Sequence, residues 1–199
     1  MDSNLQKILN ILSRGGLVAW PTDTTWGLLA AGQPAALEKI YSLKGRPRGK
    51  PLQLLVSSLD VAAKLADTSS LEPAWSLLTS RFWPGALTLV VPATPYAPAE
   101  LTFSGKIGLR LPADDQLRQL LAAAGGWLAA TSLNRSNQAP VRSYQEAVAF
   151  AEEVAYIHPG QSGNTASSVF ELPEGRLLRS GAIPPHQIAA ALEESWTKS

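Results

Sequence analysis

Cysteine is absent from this 199-residue chain, and histidine occurs only twice, as His158 and His186. The lack of cysteine excludes disulfides, thiolate nucleophiles and Cys-ligated zinc or iron–sulfur sites. Two histidines leave little for a His-rich metal site or a Ser-His-Asp triad, and we expect both to be surface or capping residues. We therefore predict that the protein builds no metal site of its own.

Charge of either sign is also scarce. Charged residues make up 17% of the chain against 45% hydrophobic residues, and the net charge is +1. This composition is typical of a globular protein with a proper core, and it excludes a disordered one. A protein that binds long polyanions usually carries a basic excess over a whole face, which this chain lacks.

Long apolar runs are missing as well, since none approaches the roughly 18 residues that a membrane helix needs. The first residues, Met1–Gln6, have no signal-peptide pattern. No internal repeat, low-complexity segment or linker divides the chain. We predict one domain over residues 1–199, in the cytoplasm and without membrane contact.

The common nucleotide and hydrolase motifs are absent too. The chain contains no G-x-x-x-x-G-K-[ST] phosphate loop, no G-x-G-x-x-G, no H-E-x-x-H and no G-x-S-x-G. Its chemistry has to come from another arrangement of residues.

What the chain does have is a concentration of cations in the stretch Lys44–Lys50, whose sequence is KGRPRGK. Four of the 17 lysines and arginines lie there, and no acid occurs between Glu38 and Asp60. Cations roughly 8 Å apart repel by about 2 kcal/mol at an effective dielectric near 20. Glycine and proline also disfavour a regular helix or central strand in this stretch. A shaped basic loop is best explained by a bound anion, and the alternative is a solvated basic turn.

Apolar periodicity predicts strands that alternate with helices, although several strands adjoin without a helix between them. This order predicts an α/β fold with a twisted mixed β-sheet flanked by helices. Among the helices we predict Ser70–Phe82, opened by a capping box, and a helix from Ser143 to about Glu152. A last helix opens at Pro184 and is followed by a polar tail.

Polar loops follow two of the predicted strands. Thr22–Thr25 follows the strand Leu17–Trp20, and Ser132–Asn137 follows the strand Trp127–Thr131. In α/β sheets, small ligands bind in the crevice at the carboxyl ends of strands, where hydroxyls and amides can orient them. Simple turn formation is the alternative for either loop alone.

Arg110 and Arg179 each lie among apolar neighbours in a predicted strand. An unpaired buried guanidinium is strongly unfavourable, so each needs a protein carboxylate or a bound anion. Together with Lys44 and Arg46, they could neutralise phosphates or a carboxylate.

Six segments carry a further pattern. In chain order they are Pro21–Leu28 (PTDTTWGL), Lys44–Pro47 (KGRP), Trp83–Leu89 (WPGALTL), Gly108–Pro112 (GLRLP), Thr131–Asn134 (TSLN) and Leu178–Ile183 (LRSGAI). Together they resemble the YrdC family, the threonylcarbamoyl-AMP synthases. The resemblance covers nearly the whole chain, and its paired K-x-R and S-x-N signature is fairly specific. The length fits the short, single-domain form of the family.

The resemblance implies a YrdC-like fold and an enzyme that converts ATP, L-threonine and bicarbonate into threonylcarbamoyl-AMP and pyrophosphate. A separate transferase would then use this product to modify the adenosine beside the anticodon of certain tRNAs. Mg²⁺ would accompany the triphosphate and be held mainly by ATP and water, because few carboxylates cluster in the sequence.

Carried over by position, the resemblance implies that Lys44 and Arg46 are the catalytic residues, which hold the phosphates and the developing charge. It implies that Ser132, Asn134 and Arg179 complete the nucleotide site. Attack of a carbamate oxygen on a phosphorus brings two anions together, so preplaced cations can promote it without a protein nucleophile.

The threonine side would be lined by Thr22, Thr24, Arg110 and Ser167, again by resemblance. Asp23 belongs to the same motif, without an assigned role. Arg48 and Lys50 could contact pyrophosphate or RNA, or only shape their loop.

The chain departs from the family pattern at four positions. The family usually has Tyr or Phe in place of Trp26, Ala in place of Leu133, Gly in place of Asn137 and Pro in place of Ser180. We expect these differences to affect the shape of the threonine pocket.

Two other functions compete with the synthase. One is a YrdC-like module that binds double-stranded RNA or tRNA, or supports ribosome maturation, without catalysis. The near-neutral charge counts against it as the main role. The other is carbamoyl transfer, as in the related domain of hydrogenase-maturation proteins, which carry Cys-rich zinc modules that this chain lacks.

Overall fold

The computed structural model describes residues 3–193 of the chain. Within this range the helices are α1 (Ser3–Ser13), α2 (Pro34–Lys44), α3 (Leu59–Leu65), α4 (Ala74–Phe82), α5 (Asp115–Ala123), α6 (Tyr144–Val148) and α7 (Pro185–Glu193). The strands are β1 (Val18–Pro21), β2 (Trp26–Ala30), β3 (Gln53–Val56), β4 (Leu87–Pro92), β5 (Lys106–Arg110), β6 (Trp127–Ser132), β7 (Tyr156–Ile157), β8 (Ser168–Glu171) and β9 (Arg176–Arg179).

All these strands form one sheet in the order β7-β1-β2-β6-β3-β5-β4-β8-β9. Three neighbouring pairs are parallel, namely β7 with β1, β3 with β5 and β4 with β8. The other neighbours are antiparallel. The predicted α/β fold with a mixed sheet and flanking helices is therefore confirmed, while its extent as one domain over residues 1–199 stays a prediction.

The two faces of the sheet are covered unequally. One face packs its alternate apolar residues, such as Leu28, Leu54 and Leu89, against α2, α3, α4 and α7. On the other face, α1 and α5 cover only β1, β2, β3 and β6, through residues such as Leu29 and Leu128. Because side chains alternate between the faces of a strand, the uncovered half of this second face presents a row of smaller and polar residues.

Two predicted helices are shorter than expected. The helix predicted from Ser70 begins at Ala74, because Pro73 lacks the N–H that a helix interior needs. The Glu72 carboxylate instead accepts hydrogen bonds from the backbone N–H and hydroxyl of Ser76. The helix predicted to reach Glu152 ends at Val148, after which most backbone bonds reach back three residues rather than four.

The predicted last helix is present as α7, and the polar tail predicted after it lies outside the described residues. In residues 3–193, no helix combines the length and the apolar character that crossing a bilayer requires.

Candidate active site

A cleft of about 990 Å³ lies over the uncovered half of the sheet. Its floor consists of strand residues, among them Gln53, Thr88, Val90, Gly108, Arg110 and Ala130. Three loops form its rim: the loop after β1, the basic loop after α2 and the segment that leads into β8. The cleft thus joins segments that are far apart in the sequence.

Arg110 is the most buried cation of the cleft, with 2% of its surface exposed. Its Nη2 lies 2.6 Å from Oδ1 of Asp23, and its Nη1 donates to Oγ1 of Thr24 at 2.6 Å. Its Nε donates to the carbonyl of Gly85 at 2.9 Å. Burial lowers the pKa of the Arg110 guanidinium, and the Asp23 carboxylate opposes this shift. The partner that the sequence required for Arg110 is therefore a protein carboxylate.

Thr22 and Thr24 order the loop beside Arg110. Their hydroxyl oxygens are 2.9 Å apart, and the Thr22 hydroxyl donates to the carbonyl of Thr25 at 2.7 Å. Both threonines are buried and line the cleft. With Arg110 they form an ordered polar group at one end of the cleft, in which the Thr22 hydroxyl proton is already bonded to Thr25.

Arg179 has different partners. Its Nε and Nη2 donate to the Ser167 carbonyl at 3.0 and 2.9 Å, and its Nη2 also donates to the Ser167 hydroxyl at 2.9 Å. No ion pair between Arg179 and a carboxylate is present in residues 3–193. Burial of the guanidinium and the charges of Arg110 and Arg46 lower the pKa of Arg179.

The prediction that Arg179 is buried in an apolar strand is wrong, because β9 is the edge strand of the sheet and Arg179 is exposed. Its guanidinium nevertheless lines the cleft.

Arg46 lines the cleft from the basic loop. Its Nε donates to the carbonyl of Lys50 and its Nη2 to that of Pro51, both at 2.9 Å. Burial lowers the pKa of Arg46. The guanidinia of Arg46, Arg110 and Arg179 therefore face one cleft, and among the described residues only the one on Arg110 has a carboxylate partner.

Lys44 lies behind this surface rather than on it. It is 3% exposed, and its ammonium donates to the carbonyl of Ser132 and to both the carbonyl and Oδ1 of Asn134, at 2.8 and 2.6 Å for the two Asn134 oxygens. Burial and the charge of Arg46 lower the pKa of Lys44 to about 8. All three donors of the ammonium are engaged by the loop after β6.

Asn134 also lies behind the cleft. Its Oδ1 accepts from the Ser132 hydroxyl at 2.7 Å, and its Nδ2 donates to the carbonyl of Gln138 at 2.6 Å. The two residues of each signature, K-x-R and S-x-N, thus have different roles. Lys44 and Asn134 fasten the two loops together, and Arg46 and Ser132 face the cleft.

Of the nine residues predicted for the site, seven line the cleft and two lie directly behind it. The seven are Thr22, Thr24, Arg46, Arg110, Ser132, Ser167 and Arg179. The two histidines do not line it: His158 stacks on Trp20 with ring centroids 3.6 Å apart, and His186 is exposed on α7.

The floor contains polar residues that sequence reasoning missed. Thr88 donates to Oε1 of Gln53 at 2.8 Å, and its hydroxyl lies 2.9 Å from that of Ser167. Gln53 and Thr88 are single polar residues in strands that are otherwise apolar, LQLLV and LTLVV. That isolation is the signal that could have identified them.

The remaining two cations of the basic loop differ from each other. Arg48 forms an ion pair with Glu38, with side chains that are 75% and 51% exposed, and its guanidinium lies 5.9 Å from the Tyr41 ring centroid. Lys50 lines the cleft. Arg48 is therefore a surface residue, whereas Lys50 can reach a ligand.

The four departures from the family pattern lie outside the lining. Trp26 and Leu133 are fully buried in the core, and Ser180 is exposed. Asn137 has a φ of 65°, a left-handed conformation that glycine and asparagine tolerate best. None of the four lines the cleft, so any effect on the threonine pocket would act through the residues that do, and that effect stays a prediction.

The residues of the cleft fit a metal ion that arrives with a ligand better than one held by the protein. Within residues 3–193, no three His, Asp or Glu side chains cluster as a metal site requires. The nearby carboxylates are already engaged, Asp23 by Arg110 and Glu171 by Lys106 and Arg176.

The fold and the cleft define an α/β protein whose converging guanidinia suit an anionic ligand. A model of the Sua5/YciO/YrdC family, described as "Telomere recombination", matches residues 10–181. The chain belongs to this family, and the resemblance seen in its six sequence segments is confirmed.

Curated relatives give the same result. The chain is 34% identical over 176 residues to the threonylcarbamoyl-AMP synthase of Alkalilimnicola ehrlichii, which covers 84% of this chain and 90% of the relative. It is 32% identical over 190 residues to that of Pyrococcus abyssi, covering 92% of this chain and 55% of the relative. The chain thus spans little more than half the length of the archaeal protein.

Solved structures share the fold. P. abyssi Sua5 complexed with L-threonine superimposes with a TM-score of 0.87 at 30% identity, over 96% of this chain and 57% of that one. E. coli YciO superimposes with a TM-score of 0.81 at 22% identity, over 92% and 91% of the two chains, and supports the fold alone.

Proposed function

We propose that this chain is a threonylcarbamoyl-AMP synthase, a nucleotidyltransferase that forms threonylcarbamoyl-AMP and pyrophosphate from L-threonine, bicarbonate and ATP. The observation that carries the proposal is the set of three guanidinia, on Arg46, Arg110 and Arg179, that face one cleft with a single carboxylate partner in residues 3–193. Two anionic reactants need such a surplus of positive charge. The cleft volume, about 990 Å³, suits a nucleotide together with a small amino acid.

We propose that the two substrates occupy opposite ends of the cleft. L-threonine would be held at the end formed by Thr22, Thr24 and Arg110, as its carboxylate pairs well with a guanidinium. Arg46 and Ser132 face the cleft from the loops that Lys44 ties together, and they would bind the phosphates. Ser167 would belong to the threonine side and Arg179 to the nucleotide side, and the hydrogen bonds between them would join the two sides.

The reaction needs no protein nucleophile. The amine of threonine and bicarbonate combine to a carbamate with loss of water. A carbamate oxygen then bonds to the α-phosphorus, while the bond from that phosphorus to the bridging oxygen breaks and pyrophosphate leaves. The chain's role is to hold two anions in line and to stabilise the added negative charge with preplaced cations.

Mg²⁺ bound with ATP would neutralise part of the triphosphate charge, and we propose that it enters with the nucleotide. The product would pass to a separate transferase that acts on tRNA, which agrees with the predicted cytoplasmic location.

The test is pyrophosphate release from ATP, measured with threonine and bicarbonate each added or omitted. We expect release to require both, and Arg46→Ala to lower kcat/KM by about a hundredfold or more. Arg48→Ala is the matched control in the same loop, and it should stay within about twofold of wild type because Arg48 pairs on the surface.

Release that does not depend on threonine, or that survives Arg46→Ala unchanged, would contradict the proposal. Tight binding of duplex RNA at physiological salt, with no ATP binding, would favour the RNA-binding module instead.

A further inference from the structure

A chain of side-chain hydrogen bonds crosses the floor of the cleft. Arg179 donates to the Ser167 hydroxyl at 2.9 Å, the Ser167 and Thr88 hydroxyls are 2.9 Å apart, and Thr88 donates to Oε1 of Gln53 at 2.8 Å. These hydrogen bonds link β9, the residue just before β8, β4 and β3. The strand β5 lies between β3 and β4, and its Gly108 leaves room for Gln53 and Thr88 to meet above it.

Arg179 determines which groups donate and which accept in this series of hydrogen bonds. A guanidinium can only donate, so the Ser167 oxygen accepts from it. If Ser167 then donates to Thr88, and Thr88 donates to Gln53, every hydroxyl proton has an acceptor. Turning the Gln53 amide around would leave the Ser167 proton without a partner in residues 3–193, at a site that is 2% exposed. A buried donor without an acceptor is costly, which favours the first arrangement.

In that arrangement the carboxamide oxygen of Gln53 is committed to Thr88. Its NH₂ group has no protein partner in residues 3–193, and Gln53 lines the cleft. Gln53 pairs in register with Gly108, and Leu55 pairs with Arg110. Two residues along a strand span about 7 Å. The backbone positions of Gln53 and Arg110 are therefore offset by about 7 Å along the strand direction.

We infer that Gln53 is a binding residue whose NH₂ group donates to an anionic oxygen of the ligand, either a carboxylate or a phosphate oxygen. Thr88 is a positioning residue that keeps the amide in this orientation. The identity of the anion rests on the proposed function, whereas the donor role of Gln53 rests on the hydrogen-bond chain alone.

Gln53→Glu tests the inference directly. The carboxylate still accepts from Thr88, but it removes both N–H donors and adds a negative charge. We expect the Kd of the contacting anion to rise at least tenfold. The thermal midpoint of the free protein should stay the same or rise, because the new carboxylate joins a cleft that Arg46 and Arg110 also line. Gln53→Met, which removes the donors without adding charge, should raise Kd by a smaller factor.

The measurement is isothermal titration calorimetry with two probes, inorganic pyrophosphate and L-threonine, on each folded variant. Gln119→Glu is the control for charge alone, since Gln119 is exposed on α5 away from the cleft. A loss for pyrophosphate only identifies a phosphate oxygen, and a loss for threonine only identifies a carboxylate. Unchanged binding of both probes by Gln53→Glu, or no binding of either by wild type, would overturn the inference.

Thr88 provides the second test. Thr88→Ser keeps the hydroxyl and should keep wild-type affinity, whereas Thr88→Val should weaken the same probe that Gln53→Met weakens. In the double variant Gln53→Met/Thr88→Val, the two effects should not multiply, because both act through one amide. Multiplying effects would contradict the positioning role. A wild type that binds these anions but releases no pyrophosphate from ATP would remove the proposed function and leave the role of Gln53 standing.

Discussion

Arg110 and Arg179 face the same cleft, but the protein treats their charges differently. Arg110 is 2% exposed and is paired with Asp23, whereas Arg179 lies on the edge strand and, within the described part of the chain, donates only to the oxygens of Ser167. The charge of Arg110 is thus neutralised within the protein, and that of Arg179 is left over. The pair with Asp23 lets Arg110 order its loop in the empty protein while it still lines the cleft, and the charge of Arg179 remains for a ligand anion to neutralise.

Because of this difference, we expect mutations near Arg110 to lower stability and mutations at Arg179 to weaken ligand binding. Loss of a partner at the Arg110 end should damage the fold, because it leaves a buried charge alone. Loss of charge at the Arg179 end should damage ligand binding and leave the empty protein intact, because Arg110 and Arg46 already repel Arg179.

The largest effect is expected for Asp23→Ala. This substitution leaves the buried Arg110 guanidinium without its carboxylate partner. We expect the free energy of unfolding to fall by about 3 kcal/mol in urea titrations. Glu38→Ala is the matched control, since it breaks the exposed pair with Arg48 and should cost less than about 1 kcal/mol. Equal losses in the two variants would mean that burial does not distinguish the two ion pairs.

Arg179→Gln should weaken ligand binding without lowering stability. Removal of a charged donor should weaken pyrophosphate binding by about 2 kcal/mol, roughly thirtyfold. The thermal midpoint of the ligand-free protein should stay the same or rise slightly as repulsion is relieved. Calorimetric titration and thermal unfolding of one sample check both parts, and a marked drop in stability with unchanged affinity would reverse the comparison.

Lys44 extends the comparison to a buried cation that can release its proton. Its pKa of about 8 in the folded protein lies below the ordinary lysine value of 10.5. Between these values the unfolded chain binds more protons than the folded one, so stability should rise with pH. We expect wild type to gain about 1 kcal/mol relative to Lys44→Met between pH 8 and pH 9. Urea unfolding at pH 7, 8 and 9 checks this, and a difference that does not vary with pH would contradict it.

The sequence was sufficient for the fold class, because alternating apolar segments and their order leave few ways to build the sheet. The sequence also identified segments that meet in the structure, since Thr22, Arg46, Ser132 and Arg179 all line one cleft. Thr22 and Ser132 come at the ends of β1 and β6, two strands that run in the same direction, whereas Arg46 follows α2 and Arg179 ends β9.

The sequence did not distinguish the residues on the cleft surface from those behind it. Lys44 and Arg46 are two positions apart on one loop, yet one fastens loops and the other faces the ligand space. The edge position of Arg179 depends on strand order, which local patterns do not encode. Gln53 and Thr88 lie 35 residues apart in the sequence and meet because β5 lies between their strands in the sheet, with Gly108 beneath the two side chains.

The hydrogen bonds that build the cleft join distant parts of the chain. Arg110 bonds across 87 residues to Asp23, Lys44 across 88 to Ser132, and Thr88 across 79 to Ser167. Closing such long loops is entropically costly before the contacts form, so folding of this topology is slow and the cleft is completed late. Partly folded chains should therefore lack affinity for the ligand anions. Ligand then cannot guide the early steps of folding, but it can slow unfolding once the last loops have closed.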